Sequence, residues 1–249
     1  MQSGCLYRSS TPVTLYEQDA LHDLTGGTLR PGGTGLTREL LHFCAFSPGA
    51  RVLDIGCGPG HSLEQMAREF GLRPCGIDPS PAMLAKAGQQ APMAELQQGT
   101  ASTLPWADAA FDGVLCECVL SLTEDMPSSL REIHRILKPQ GRLLLTDIYC
   151  KRLSPKALLP ELKSCISRAL PLETITEGLI RAGFLLLLLQ DRSELLKQLA
   201  GQIIFSYGSL EQFWSLFMDG EAAYRTHCAL ATAPLGYYAL IAEKGGLHG

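Results

Sequence analysis

Short apolar runs alternate with amphipathic stretches along most of this chain. Apolar runs that read as strands fall at 51–55, 73–78, 95–98, 112–116, 142–148, 184–190 and 236–243. Between them, periodic stretches at about 60–70, 80–89, 126–137 and 172–182 read as helices. A further helix is expected over 34–46, where Leu36, Leu40, Leu41 and Phe43 form an apolar stripe. Element boundaries are marked by residue chemistry. Pro79-Ser80-Pro81 supplies a cap and a first-turn proline, and Lys138-Pro139-Gln140-Gly141 ends a helix before the next strand. Strands alternating with helices imply a mainly parallel sheet covered on both faces, an α/β fold.

Two segments break the alternation. Residues 1–35 are polar and Gly/Thr-rich without a period, which suggests an arm or lid ahead of a domain spanning 36–249. Residues 193–230 are helical in pattern and rich in aromatics: Phe205, Tyr207, Phe213, Trp214, Phe217 and Tyr224. They lie between the last two expected strands and read as a cap inserted over the strand ends.

Composition narrows the class. Of 249 residues, 46% are hydrophobic, enough for one full-sized core. The net charge is −4, and no Lys/Arg run favours nucleic acid. The longest apolar run, Phe184 to Leu189, is far short of the roughly 20 residues of a membrane helix. The first residues, Met1-Gln2-Ser3-Gly4-Cys5, lack a signal pattern, so a cytoplasmic protein whose nine cysteines are reduced thiols is expected.

Chemistry concentrates where the first strand ends. Val52-Leu53-Asp54-Ile55 runs into Gly56-Cys57-Gly58-Pro59-Gly60, and the next strand ends in an acid at Gly76-Ile77-Asp78. Glycines permit backbone angles and close approaches that a Cβ blocks, and the helix that follows offers free N–H groups to a ligand. Asp78 is placed to accept both hydroxyls of a ribose. A dinucleotide site would want a third glycine at position 61, where this chain has His61, and does not ask for an acid at Asp54. The spacing therefore favours S-adenosylmethionine (SAM) over a dinucleotide.

Four segments carry a wider resemblance: Asp54 to Gly60; Gly76-Ile77-Asp78-Pro79-Ser80-Pro81-Ala82-Met83-Leu84; Leu104-Pro105-Trp106 ahead of Phe111-Asp112; and Leu137-Lys138-Pro139-Gln140-Gly141-Arg142. In order and spacing they resemble the class I SAM-dependent methyltransferases (type 11-like) over roughly 36–190. The resemblance implies a Rossmann-like seven-stranded sheet whose last strand is antiparallel. It implies that Gly56, Cys57, Gly58 and Gly60 line the donor's methionine and ribose and that Asp54 reaches its amino group. Asp78 would hold the ribose, Pro79 and Met83 would pack on adenine, and Thr100, Ala101 and Cys116 would complete the pocket. Thr100 stands where the family often has an Asp.

Methyl transfer from a sulfonium is an in-line displacement, so alignment and exclusion of water dominate, and a base is needed only for a protonated nucleophile. Leu115-Cys116-Glu117-Cys118-Val119-Leu120-Ser121 follows the fourth expected strand, and an extended chain would point Cys116 and Cys118 the same way. This segment, with Cys165-Ile166-Ser167-Arg168-Ala169-Leu170 and Ala182-Gly183-Phe184, resembles arsenite methyltransferases in particular. That resemblance implies Cys118 and Cys165 as thiol ligands of a soft metalloid. The third cysteine of those enzymes has no counterpart around Thr25 to Gly33; Cys5, Cys44 or Cys57 are substitutes, and Ser121 replaces the usual Asn. Glu117 and Tyr149, both near expected strand ends on the ligand side, are further catalytic candidates, ahead of His22, His61 and Tyr16. No bound metal ion is expected. The leading expectation is methylation of a small molecule by a monomer or homodimer. O-, N- or C-methylation of a metabolite and a non-catalytic SAM-binding regulator remain open.

Overall fold

The computed structural model describes residue 28 and residues 30–151 and 164–245. Strand and helix alternate as the periodicity predicts. After α1 (Gly33–Cys44) come β1 (Arg51–Ile55), α2 (His61–Phe70), β2 (Arg73–Asp78), α3 (Pro81–Gln90), β3 (Glu95–Gln98) and β4 (Phe111–Glu117). Then follow α4 (Met126–Ile136), β5 (Leu137–Cys150), β6 (Leu170–Pro171), α5 (Leu172–Arg181), β7 (Phe184–Asp191), α6 (Ser193–Tyr207), α7 (Leu210–Trp214), α8 (Gly220–Thr232) and β8 (Leu235–Lys244).

The sheet order is β3-β2-β1-β4-β5-β8-β7, with β6 paired to β5 off this path. Neighbours are parallel except β8, which runs antiparallel to both β5 and β7. The expected seven-strand sheet with an antiparallel last strand is present, and the two-residue β6 makes an eighth. One boundary differs. The chain re-enters the sheet at Leu137, opposite Phe111, and a register shift between Phe111 and Gly113 absorbs the Lys138–Gly141 segment into β5.

Helices cover both faces because the central strands are apolar on both sides. On β5, Leu143 and Leu145 join one core with Leu130 and Ile133 of α4 and Ile175 and Leu179 of α5. Leu144 and Ile148 join the other, with Leu40 of α1, Leu63 and Met66 of α2 and Ala87 of α3. Between β7 and β8, helices α6 to α8 build a third cluster from Ile203, Phe213, Trp214 and Ala223, against which Ile166 also packs. Ile166 packs against the second core as well, so it joins the inserted helices to the sheet beside Cys165. No helix among the described residues is long and apolar enough to cross a membrane.

Candidate functional site

The β1–α2 turn is shaped by three positive φ angles: 69° at Gly56, 51° at Gly58 and 91° at Gly60. Two of these glycines also answer a close approach. A Cβ on Gly56 would lie 2.3 Å from Val119 Cγ2, and one on Gly60 would lie 2.9 Å from the Ala87 Cα. At Gly58 a Cβ would meet nothing within 4 Å, so this side of the turn faces open space. No side chain caps α2, which leaves its first N–H groups to a ligand.

Asp78 closes the turn. Its carboxylate accepts from Gly58 N at 3.0 Å and Ser80 N at 2.9 Å. Ser80 in turn caps α3 through Met83 N at 3.3 Å. Gly99 N donates to the Asp78 carbonyl at 3.2 Å, which sets Thr100 and Ala101 beside the end of β2.

Two buried acids lie at the ends of β1 and β4. Burial raises the Asp54 carboxyl well above its ordinary range, Glu117 and Asp78 add to this, and Arg30 opposes it. Among the described residues the Asp54 carboxylate feels charges but carries no hydrogen bond. Glu117 is different. Arg30 Nη2 meets its carboxylate at 2.7 Å, and Thr37 Oγ1 donates to it at 3.0 Å. Burial still raises the Glu117 carboxyl, with Arg30 pulling the other way.

A second cluster lies across Val119. The Sγ atoms of Cys118 and Cys165 and a carboxylate oxygen of Asp147 lie within 4.8 Å of one another, all buried. Cys118 adopts φ 56°, an unfavourable left-handed conformation for a residue with a Cβ. The Tyr237 hydroxyl lies 3.6 Å from its sulfur. The hydrogen bond with Cys165 and then burial push the Cys118 thiol well up. Asp147 accepts from Ser121 N at 2.9 Å, Ser121 Oγ at 2.8 Å and Ile148 N at 2.8 Å. Burial outweighs these bonds and pushes its carboxyl up to about 6.

Comparisons with known proteins agree with this arrangement. Residues 53–145 match a family described as a methyltransferase domain. An uncharacterized methyltransferase of Synechocystis sp. is 37% identical over 127 residues, covering 49% of this chain and 58% of the relative. Over residues 53–145 the chain is thus similar to the methyltransferase domain family. Phosphoethanolamine N-methyltransferase 3 of Arabidopsis thaliana is 30% identical over 176 residues, which is 68% of this chain and 35% of that protein. The chain thus spans less than two thirds of these relatives. Phosphoethanolamine N-methyltransferase 2 of Haemonchus contortus, solved with S-adenosyl-L-methionine, superposes with a TM-score of 0.75 at 22% identity. The match covers 93% of this chain and 58% of that one.

Several site residues expected from sequence converge and others do not. Gly56, Gly58, Gly60, Asp54 and Asp78 surround one turn, with Met83 buried beside it and Pro79 and Thr100 exposed at its rim. Cys57 departs from expectation: its sulfur lies where a Cβ on Gly76 would be only 2.8 Å away, so its side chain fills the core and does not face the turn. Cys116 departs too. It is fully buried in the core on one face of the sheet, whereas Cys118 belongs to the other, so the two do not point the same way. The cause is the positive φ at Cys118, which ends the strand's alternation.

Tyr149 lies on the face opposite Cys118, where its hydroxyl donates to Asp191 at 3.1 Å and ties β5 to the end of β7. It is not brought to the thiol pair. Glu117 is engaged by Arg30 and is not poised as a free base. Neither thiol substitute in the described residues joins the pair. Cys44 sits at the end of α1, its thiol raised to about 11 by burial, and Cys57 packs as above. Asp147 takes the third corner instead. Cys5, Tyr16 and His22 lie outside the described residues, as does all of the expected arm except residues 28 and 30–35.

Sequence reasoning missed Arg30, Thr37, Ser62 and the role of Asp147. Thr37 had a signal: it is a polar residue on the apolar stripe of α1, and it is fully buried. Arg30 had none, because its partner Glu117 is remote in the chain.

Proposed function

We propose that this chain transfers a methyl group from SAM to a small thiophilic acceptor held by Cys118 and Cys165, with arsenite as the compound to test. The observation that carries the reading is the convergence of two buried thiols and Asp147 within 4.8 Å, one residue from Val119, which packs on the Gly56 turn. Thiols bind soft centres in preference to hard ones.

The donor pocket fits SAM by its own chemistry. Asp54 is a buried carboxylate in need of a donor, the open side of Gly58 admits a ligand, and the Asp78 carboxylate, held against that turn through Gly58 N, is the acceptor for ribose hydroxyls. The donor supplies a methyl group activated on a sulfonium and leaves as S-adenosylhomocysteine. The residues at the thiol pair bind and orient. Arsenous acid condensing with Cys118 and Cys165 forms two As–S bonds, breaks two As–O bonds and releases two waters, which carry away the thiol protons. Burial keeps bulk water from this end of the site.

The test is turnover with SAM and arsenite, reading S-adenosylhomocysteine and methylated arsenic, alongside arsenite binding. Cys118→Ser and Cys165→Ser are each expected to abolish both. Arsenite binding unchanged in both variants would overturn the thiophilic reading.

A second reading keeps the donor and changes the acceptor to nitrogen or oxygen. The name of the Arabidopsis relative, a phosphoethanolamine N-methyltransferase, favours it. Methylation of an amine by the Cys118→Ser variant at the parent rate would select it. Donor binding with no product from metalloid, amine or hydroxyl acceptors would select a non-catalytic SAM-binding protein.

A further inference from the structure

The two edges of the sheet are built differently. β3 ends one side, and its exposed residues Glu95, Gln97 and Gln98 are polar. Short, polar edge strands keep sheets from pairing with one another. β7 ends the other side and pairs with β8 alone among the described residues. It is eight residues long against four for β3, and it carries no charge before Asp191. Leu185 is 54% exposed, Leu187 42% and Leu189 43%. Ile180, in the last turn of α5 beside β7, is exposed as well. A long, apolar edge with open backbone groups is a template for a further strand. None of these residues serves the donor turn or the thiol pair.

Two features of β7 match it to a second copy of itself. The first is its shape. The register shift between Leu186 and Leu188 leaves two regular stretches, Phe184–Leu186 and Leu188–Asp191, with Leu187 between them. The shift also exchanges faces. Leu186 packs in the core with α5, Leu188 packs in the opposite one, and Leu189, opposite Leu240, returns to the face of Leu186. In an antiparallel pair about a two-fold axis between Leu187 and Leu188, Phe184 lies opposite Asp191 of the other copy, Leu185 opposite Gln190 and Leu186 opposite Leu189. Each of these pairs shares a face, as cross-strand neighbours must, and the two irregular positions meet at the axis. A regular strand would meet the irregularity without a counterpart. The second feature is charge. Exposed Arg181 precedes β7, while exposed Asp191 and Glu194 end it. Arg192, the cation at that end, is held by Glu39. Antiparallel pairing brings Arg181 of each copy to the acidic end of the other, whereas parallel pairing sets acid against acid. We infer that this chain forms a homodimer through β7, joining two sheets edge to edge. The inference is independent of either acceptor reading.

Sedimentation equilibrium of the full chain tests it, with dilution from about 100 µM, well above the micromolar weak end of specific interfaces. The parent is expected to approach twice the chain mass at the upper end. Leu187→Lys sets two like charges together at the axis and should raise the dimer dissociation constant about 10- to 100-fold. Leu187 is half-exposed in one copy, so a lysine there reaches water in the monomer. If that variant does not fold, Leu185→Lys replaces it with the same expectation. Arg181→Glu and Glu194→Arg should each weaken the dimer about two- to fivefold, and the two together should restore it. Gln97→Lys, on the β3 edge, should leave it unchanged. A parent that stays monomeric at the highest concentration overturns the inference and leaves the edge to an unrelated strand. A dimer that survives both Leu187→Lys and Leu185→Lys, or that Gln97→Lys breaks, overturns it as well, because the contact then lies elsewhere.

Discussion

Replacing Gly56 with alanine places one methyl group where the structure has no room for it. Two costs add. At φ 69° an alanine sits in the left-handed region, at about 1–2 kcal/mol. Its Cβ would also lie 2.3 Å from Val119 Cγ2, so Val119 must rotate or β4 must shift, at about 1–3 kcal/mol. Restricting the unfolded chain returns about 0.4–1 kcal/mol. The net expectation is about 2–4 kcal/mol, or roughly 4–16 °C in Tm for a chain of this size. The steric part is separable. Val119→Ala removes Cγ2 together with Cγ1, and the contact that remains, with Val119 Cβ, is at 3.4 Å. In that background Gly56→Ala should cost only about 1 kcal/mol, which gives a coupling of about 1–3 kcal/mol. Urea unfolding of the four proteins at constant m measures it. Additive midpoints, within about 0.5 kcal/mol, would refute the argument, because Val119 would then not be what excludes a side chain at Gly56.

Other outcomes follow from the same geometry. Burial raises the Asp147 carboxyl from 3.8 to about 6, so the folded protein holds that proton more tightly than the unfolded chain does. This contribution to stability is present below about pH 4 and lost as pH rises through 6, about 3 kcal/mol in all. Asp147→Asn should flatten that part of a stability–pH profile, and an unchanged slope would contradict the assignment. Among the described cysteines Cys228 is exposed and the others are buried. Brief alkylation with peptide mapping should therefore mark Cys228 well before Cys116, whose thiol burial pushes well up, or Cys118, whose thiol is pushed well up by the hydrogen bond with Cys165 and then by burial. Tyr149→Phe removes the hydrogen bond to Asp191 and should cost about 1 kcal/mol while leaving turnover intact; a large loss of rate would return Tyr149 to the reaction centre.

The alternation of periods two and 3.6 along the chain set the order and the near-exact limits of most elements, because those periods are local. β1, β2 and β3 fall on the residues expected. The glycine turn with Asp54 and Asp78 was equally legible, since a close backbone approach leaves glycine as the residue that fits. Tertiary structure alone decided which thiols meet. Alternation on an extended chain paired Cys116 with Cys118, and one left-handed residue turned Cys118 to the other face, toward Cys165 and Asp147. Tertiary structure also decided that Glu117 is held by Arg30 and that Tyr149 braces β7. These depend on side chains that lie far apart in sequence and meet only when the sheet orders its strands. No local pattern encodes a contact of that kind, whereas a turn of bare backbone between two strand ends is written in nine consecutive residues, Val52 to Gly60.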